Sequence, residues 1–232
     1  MGWVDDAKKR AAESAAAYVK SGYTIGLGSG STAIYAIHVI GHRLRSGKVT
    51  GILGVPTSFQ AASEAEKAGI PITNLYNKPV LDLAIDGADQ INEELDVIKG
   101  GGGALLREKI VASASKKYII VADETKLVEN LGCGFPLPIE VLPFALGTVL
   151  RKVEELCGKV VVREGPGKVG PVITDNGNFV IDADFGEISN PFRLEGDLKK
   201  IPGVLETGLF LGLVDIACIG KKTEVETLRR TN

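Results

Sequence analysis

Lys99, four consecutive glycines and Glu108 stand within a single short stretch, LDVIKGGGGALLREK. Leu95, Val97 and Ile98 read as the end of a buried strand, and Ala104 reads as the start of a helix. Four glycines in a row carry a large entropic cost on folding. Their use at a strand-to-helix turn is to let backbone N–H groups approach another group closely. The helix that follows adds open N–H groups and a positive dipole end, so the turn favours an anion. Lys99 supplies a cation at the strand's carboxyl end, the edge at which open α/β sheets bind ligands. A flexible hinge with a surface Lys and Glu is the alternative. An active-site loop accounts better for glycines set between a hydrophobic strand and a helix start.

A second glycine-rich turn, Gly26-Leu27-Gly28-Ser29-Gly30-Ser31-Thr32, also joins a strand to a helix. A dinucleotide reading fails, because Ser31 occupies the third glycine position and no acidic residue closes the next strand. The turn also lacks the Gly-Lys-Ser/Thr end of a P-loop. What remains is a nest of N–H groups with three hydroxyls, suited to one phosphate, or simply a tight turn. Asp86 and Asp89, in DGAD, follow another buried strand. They could bind Mg²⁺, cap a helix or move protons on a polyol. Lys126, in DETK, could neutralise an anion or lie on the surface.

A phosphate nest, two Asp, a Lys and a Glu suit enolisation of a phosphorylated sugar. A carboxylate base removes a proton beside a carbonyl and returns it to the adjacent carbon. A nearby cation stabilises the enediolate oxygen as charge develops.

The elements that must position these residues alternate along the first half. An Ala-rich amphipathic helix is expected over 5–20, and residues 24–32 read as a short strand and a Gly/Ser-rich turn leading into a helix that runs to about Arg45. Further strands are expected over 51–56, 81–86, 96–100 and 117–123, with a helix from 104. Thr57 or Ser58 can cap the helix of FQAASEAEKAG, which Gly69 stops. This α/β alternation implies a mostly parallel sheet covered on both faces. LGCGFPLPIEVLP reads as a Pro/Gly-rich domain crossing. Beyond it come a helix over 145–156, the strand KVVVRE, a hairpin at Asn176-Gly177 and a helix capped by Asn190. That order describes a small α+β domain of ferredoxin-like type. The apolar tail VLETGLFLGLVDIACIG is expected to return to the first sheet. The division is therefore 1–129 with 204–232, and 130–203.

Composition narrows the function classes. Charged residues are 24% of the 232 and the net charge is −2, without the basic patch of a nucleic-acid binder. No run of 18 apolar residues marks a membrane span, and the start has no signal-peptide core. Three cysteines, Cys133, Cys157 and Cys218, lack metal-ligand spacing and read as reduced thiols of a cytoplasmic protein. A processed plastid protein fits the same composition. His38 and His42, four apart on a helix, read as a structural or solvent-facing pair rather than a metal site.

GLGSGSTA, DGADQI, KGGGGALLREK and ADETK, in this order and spacing, resemble ribose-5-phosphate isomerase of the A type, as does the terminal ETGLFLGLVDIACIG. The resemblance covers essentially the whole chain. It implies a Rossmann-like domain with a smaller α+β domain, no required cofactor, no metal, and a homodimer or homotetramer. The implied reaction interconverts D-ribose 5-phosphate and D-ribulose 5-phosphate in the non-oxidative pentose phosphate pathway. By the same resemblance Glu108 is the base, Asp86 and Asp89 assist ring opening and proton movement, and Lys99 stabilises the enediolate. Ser29, Gly30, Ser31 and Thr32 hold the phosphate end, with Lys126 nearby and Lys8 a lesser candidate. The backbone of Gly100, Gly101 and Gly102 completes the substrate-binding set. Ser29 stands where many members have Thr, and both supply a hydroxyl. A sugar-phosphate sensor would need a DNA-binding module absent from this sequence. A related acyl-CoA transferase or amino-sugar-phosphate deaminase would show itself by a CoA thioester or by ammonia release.

Overall fold

The computed structural model describes residues 2–157 and 159–230, except the side chain of Cys157, so the expected Cys157 thiol lies outside the described residues. The chain opens with α1 (Trp3–Ala16), β1 (Thr24–Leu27), α2 (Ser31–Arg45), β2 (Leu53–Pro56) and α3 (Phe59–Lys67). Next come β3 (Leu83–Gly87), β4 (Gln90–Ile91), β5 (Val97–Ile98), α4 (Leu105–Ser113) and β6 (Tyr118–Asp123). β7 (Leu137–Val141), α5 (Leu146–Cys157), β8 (Val160–Val162), β9 (Phe179–Ala183), α6 (Pro191–Lys199) and β10 (Val204–Thr207) follow. The last are β11 (Leu209–Phe210), β12 (Ile216–Gly220) and β13 (Val225–Arg229).

Two compact units emerge, one of Met1–Ala88, Arg107–Leu127 and Gly212–Asn232, the other of Asp89–Leu106 and Val128–Leu211. The first is built on a six-stranded sheet in the order β13-β12-β6-β3-β1-β2. Only β13 runs antiparallel to its neighbour. Alternate side chains separate the two faces. Ile25, Leu27, Leu83, Ile85, Ile119, Val121, Ile216 and Cys218 point into one core with α1, α2 and α3. Burial pushes the Cys218 thiol pKa up. The opposite face presents Gly26, Ala84, Asp86, Tyr118 and Ile120, and α4 packs there. A Cβ at Gly26 would overlap Val111 of α4 and Ala84 of β3.

Local chemistry explains the element ends. Ser58 accepts the Ala61 N–H at the head of α3 at 3.1 Å, and Gly69 follows that helix at φ +75°. α1 buries Ala7, Ala11, Ala12, Ala15 and Ala16, whose small side chains admit the helix closely against β6 and β12. Its helical span stops at Ala16, short of the expected 20, because Ala17–Val19 tighten into turns that close on Glu13, Ala15 and Ala16.

The second unit holds a four-stranded antiparallel sheet ordered β10-β7-β9-β8. Counted within βαββαβ this is 4-1-3-2, the ferredoxin-like arrangement. Leu137, Ile139, Val141, Ile181 and Ala183 share a core with Val149 and Val153 of α5 and Leu198 of α6. The hairpin at Asn176-Gly177 is present, closed by an Ile173–Phe179 bridge, and Asn190 caps α6 through the Arg193 N–H. Three expectations about strand placement change. PLPIEVLP is no mere crossing, since Leu137–Val141 forms the buried strand paired with both β9 and β10. The apolar tail does not all return to the first sheet: β10 pairs with β7 and β11 with β5, and only β12 and β13 join the large sheet. Hydrophobicity marks a strand as buried but not which sheet accepts it. The expected strand over 96–100 likewise belongs to a small antiparallel sheet, β11-β5-β4.

Candidate active site

In the first unit the parallel strands run in the order 2-1-3-4-5, counting β6 and β12 as fourth and fifth. Connections from β1 and β3 leave in opposite directions, and ligands bind outside the carboxyl ends at such a switch point. Both the Gly28–Thr32 turn and Asp86 lie there.

Gly30 enters α2 at φ +88°, a left-handed conformation that glycine tolerates. The turn is tied down on two sides. Toward β3, the Gly28 N–H donates to Ile85 O at 2.9 Å and the Ser29 N–H to Asp86 Oδ1 at 3.2 Å. The same oxygen accepts the Gly87 N–H at 2.7 Å. Toward β2 and α3, Ser29 Oγ lies 2.8 Å from Thr57 Oγ1 and 2.6 Å from Ser58 Oγ. The Gly30 N–H donates to Gln60 Oε1 at 3.1 Å. The first N–H groups of α2, from Ser31 onward, have no acceptor within the helix. Lys8 of α1 donates to Ser31 Oγ at 3.2 Å, which brings a cation to that helix head.

Asp86 is 1% exposed and Glu108 5% exposed, so both carboxylates are buried. Glu108 sits in the first turn of α4, one turn ahead of Val111, on the sheet face that carries Asp86. Tyr118 lies on that face too, paired in register with Ala84. Burial first, then the negative charge of Asp86 and of Glu108, raise its phenol well above its ordinary value. Lys126 ends a short 3₁₀ turn past β6, which Asp123 caps through the Thr125 N–H. It is half-buried at the carboxyl end of the strand beside β3.

The second unit carries the other part of the expected set. Asp89 and Lys99 flank the β4–β5 pair, with the Asp89 N–H donating to Ile98 O at 2.8 Å. Lys99 is 3% exposed, its N–H donates to Gly208 O at 2.9 Å, and its ammonium lies 5.6 Å from the Phe210 ring centroid. At that distance the ring face attracts the cation. Gly100 adopts φ +107°, and a Cβ there would crowd Leu105 and Pro138. The Gly101 N–H donates to Asp89 Oδ2 at 2.8 Å. The loop therefore holds one of the protein's own carboxylates. The helix-cap alternative for Asp86 and Asp89 does not hold, because β4 rather than a helix follows them.

Sequence reasoning passed over Tyr118, Gln60 and Arg163. Tyr118 reads as an apolar strand residue, and Gln60 and Arg163 lie on other elements than the turns they hold. Thr57 and Ser58 were legible only as helix caps. His38 bonds Glu64 at 2.8 Å, a surface pairing. Among the described residues, no group of three or more His, Cys, Asp or Glu is arranged to hold a metal ion.

The family model for ribose 5-phosphate isomerase A (phosphoriboisomerase A) matches residues 53–224. Ribose-5-phosphate isomerase A of Trichodesmium erythraeum is 46% identical over 224 residues, 97% of this chain and 94% of that protein. A D-ribose-5-phosphate isomerase solved in complex with phospho-erythronic acid superposes with a TM-score of 0.96 at 42% identity, over 99% of this chain and 100% of that one. The ribose 5-phosphate isomerase A of Methanocaldococcus jannaschii gives 0.92 at 44% identity, over 97% and 98%.

Proposed function

The chain belongs to the ribose 5-phosphate isomerase A family and interconverts D-ribose 5-phosphate and D-ribulose 5-phosphate, and we propose that it does so through an enediolate with Glu108 as the base. The observation that carries the reading is a buried carboxylate at the head of α4, on the same sheet face as Asp86 at the β1/β3 switch point.

Each step asks for a group of matching chemistry. The phosphate lies at the head of α2, where Ser31 and Thr32 offer N–H and hydroxyl donors and Lys8 offers a cation. Ser29 and Gly30, whose N–H groups donate within the protein, shape this turn and contribute the Ser29 hydroxyl. Lys126 adds positive charge at the same sheet edge. Glu108 takes the proton from C2 of the open-chain aldose and returns it to C1. Lys99 and the N–H groups of Gly100 and Gly102 stabilise the negative charge that develops on the enediolate oxygen, while Gly101, whose N–H donates to Asp89, holds that carboxylate beside the loop. Asp86 and Asp89 assist ring opening and move the proton between O2 and O1. No net oxidation occurs, so proton transfers complete the reaction without a redox cofactor.

The exposed Phe144 and Phe192 of the second unit support a homodimer or homotetramer, which light scattering on the purified protein would test. The free thiols Cys133 and Cys218 support a cytoplasmic location. No described helix is long and apolar enough to cross a membrane.

The deciding experiment is a coupled assay for ribulose 5-phosphate formed from ribose 5-phosphate, with solvent-tritium incorporation as a second readout. Turnover with label exchange at C1 supports the enediolate route. Turnover with complete retention of the C2 hydrogen, at every temperature tried, would argue for direct hydride transfer instead.

A further inference from the structure

The glycine loop is gripped from the face of the small sheet that carries no helices. Arg163, just beyond β8, stands on that face with Asp182 of β9, since Asp182 pairs in register with Val161 two residues earlier. Its guanidinium makes a two-bond fork with Asp182, Nε to Oδ2 at 2.8 Å and Nη2 to Oδ1 at 2.5 Å. The remaining nitrogen, Nη1, donates to Gly100 O at 2.7 Å and to Gly101 O at 3.0 Å. Gly100 O also accepts the Gly103 N–H at 2.9 Å.

These bonds set the direction of two peptide planes. In a planar trans peptide the carbonyl and the N–H point opposite ways. The Gly100–Gly101 plane is held at both ends, its oxygen by Arg163 and its N–H by Asp89. The Gly101–Gly102 plane is held by its oxygen, so the Gly102 N–H is turned away from Arg163. Four glycines have no side chains to fix these planes, and without external bonds they would sample many orientations. Lysine could not replace this arginine, because the fork to Asp182 orients the third nitrogen and an ammonium has no such geometry.

We propose that Arg163, oriented by Asp182, is a positioning residue for the isomerisation, holding the loop beside Lys99 so that its donors face the developing enediolate charge. The proposal rests on the roles assigned above to Lys99 and the glycine loop. Arg163 touches no reacting atom in this account. Its loss leaves every reacting group present but poorly aimed, and misplacement on the scale of an ångström costs about 100-fold in rate.

The test compares wild type with Arg163→Ala, Arg163→Lys and Asp182→Asn. Arg163→Ala is expected to lower kcat by roughly 10- to 100-fold with KM within about threefold and the melting temperature close to wild type. Methylguanidinium should restore part of the lost kcat in Arg163→Ala and leave wild type unchanged, which a merely structural residue would not show. Backbone amides of residues 101–103 should exchange faster with solvent deuterium in that variant. A folded Arg163→Ala enzyme with native kcat, or one changed only in KM, overturns the proposal. If Arg163→Ala does not fold, Arg163→Lys decides: native kcat there overturns it, and a loss without thermal destabilisation supports it. An inert wild type would sink the isomerase reading instead, and the amide-exchange comparison would still decide whether Arg163 holds the loop.

Discussion

Gly28 and Asp86 pack so closely that a single methyl group at residue 28 would overlap the Asp86 carboxylate and its Cα. The glycine turn after β1 and the carboxylate near the end of β3 therefore form one packed object, joined by the Ser29 N–H bond to Asp86. Gly28→Ala forces these strands apart where both are buried. A loss of about 1–3 kcal/mol in stability is expected. The melting temperature should fall by several degrees and kcat should drop with it. A variant with native melting temperature and activity would show that the two strands tolerate separation.

Glu108→Gln preserves size at a position only 5% exposed and removes the proposed base. Turnover should fall by about 100- to 10,000-fold, the usual share of general base catalysis. Substrate affinity, measured calorimetrically with ribose 5-phosphate, should stay within a few-fold of wild type. Near-native turnover would remove Glu108 from its assigned role.

Lys8 reaches the helix head through Ser31, at 3.2 Å. Lys8→Met should raise KM by roughly 3- to 20-fold, the range of one charge-assisted contact at a partly exposed site, with kcat little changed. The difference from wild type should shrink as salt is added, since exposed charges are screened within about 10 Å at 0.1 M. A kcat effect with unchanged KM would place Lys8 in the chemistry rather than at the phosphate.

Tyr118 bears on the alkaline limit. Its folded pKa is raised, so below the ordinary value of 10.0 the neutral phenol contributes its full stability. Above that pH the unfolded chain ionises first, and the contribution is lost as pH rises toward the folded value. In a spectroscopic titration, one of the five tyrosines should form tyrosinate only as the chain unfolds. Tyr118→Phe should abolish that coupled step. If all five phenols ionise reversibly in the folded protein, burial and the neighbouring carboxylates do not act on Tyr118 as described.

Much of the candidate site was legible in the chain because glycine and charge patterns are local. Gly26 to Thr32, Asp86 to Asp89 and Lys99 to Glu108 each lie at a strand end, and the apolar run before each one marks that end. The same locality made the caps at Ser58 and Asn190 readable, since a cap reaches only two or three residues ahead. The order of α/β alternation was enough for a mostly parallel sheet with helices on both faces.

Tertiary structure alone decided which sheet each short apolar strand joins and which distant side chains hold the glycine turns. Val97–Ile98, Leu209–Phe210 and Leu137–Val141 are hydrophobic enough for any buried position, and only pairing partners distinguish one sheet from another. Arg163 and Gln60 reach their glycine turns across 63 and 30 residues of sequence. Such contacts depend on register and on which face a side chain takes, quantities that a residue's neighbours in sequence do not carry. A chain can thus announce its chemistry through residues that cluster locally, while the groups that aim that chemistry appear only once the strands are paired.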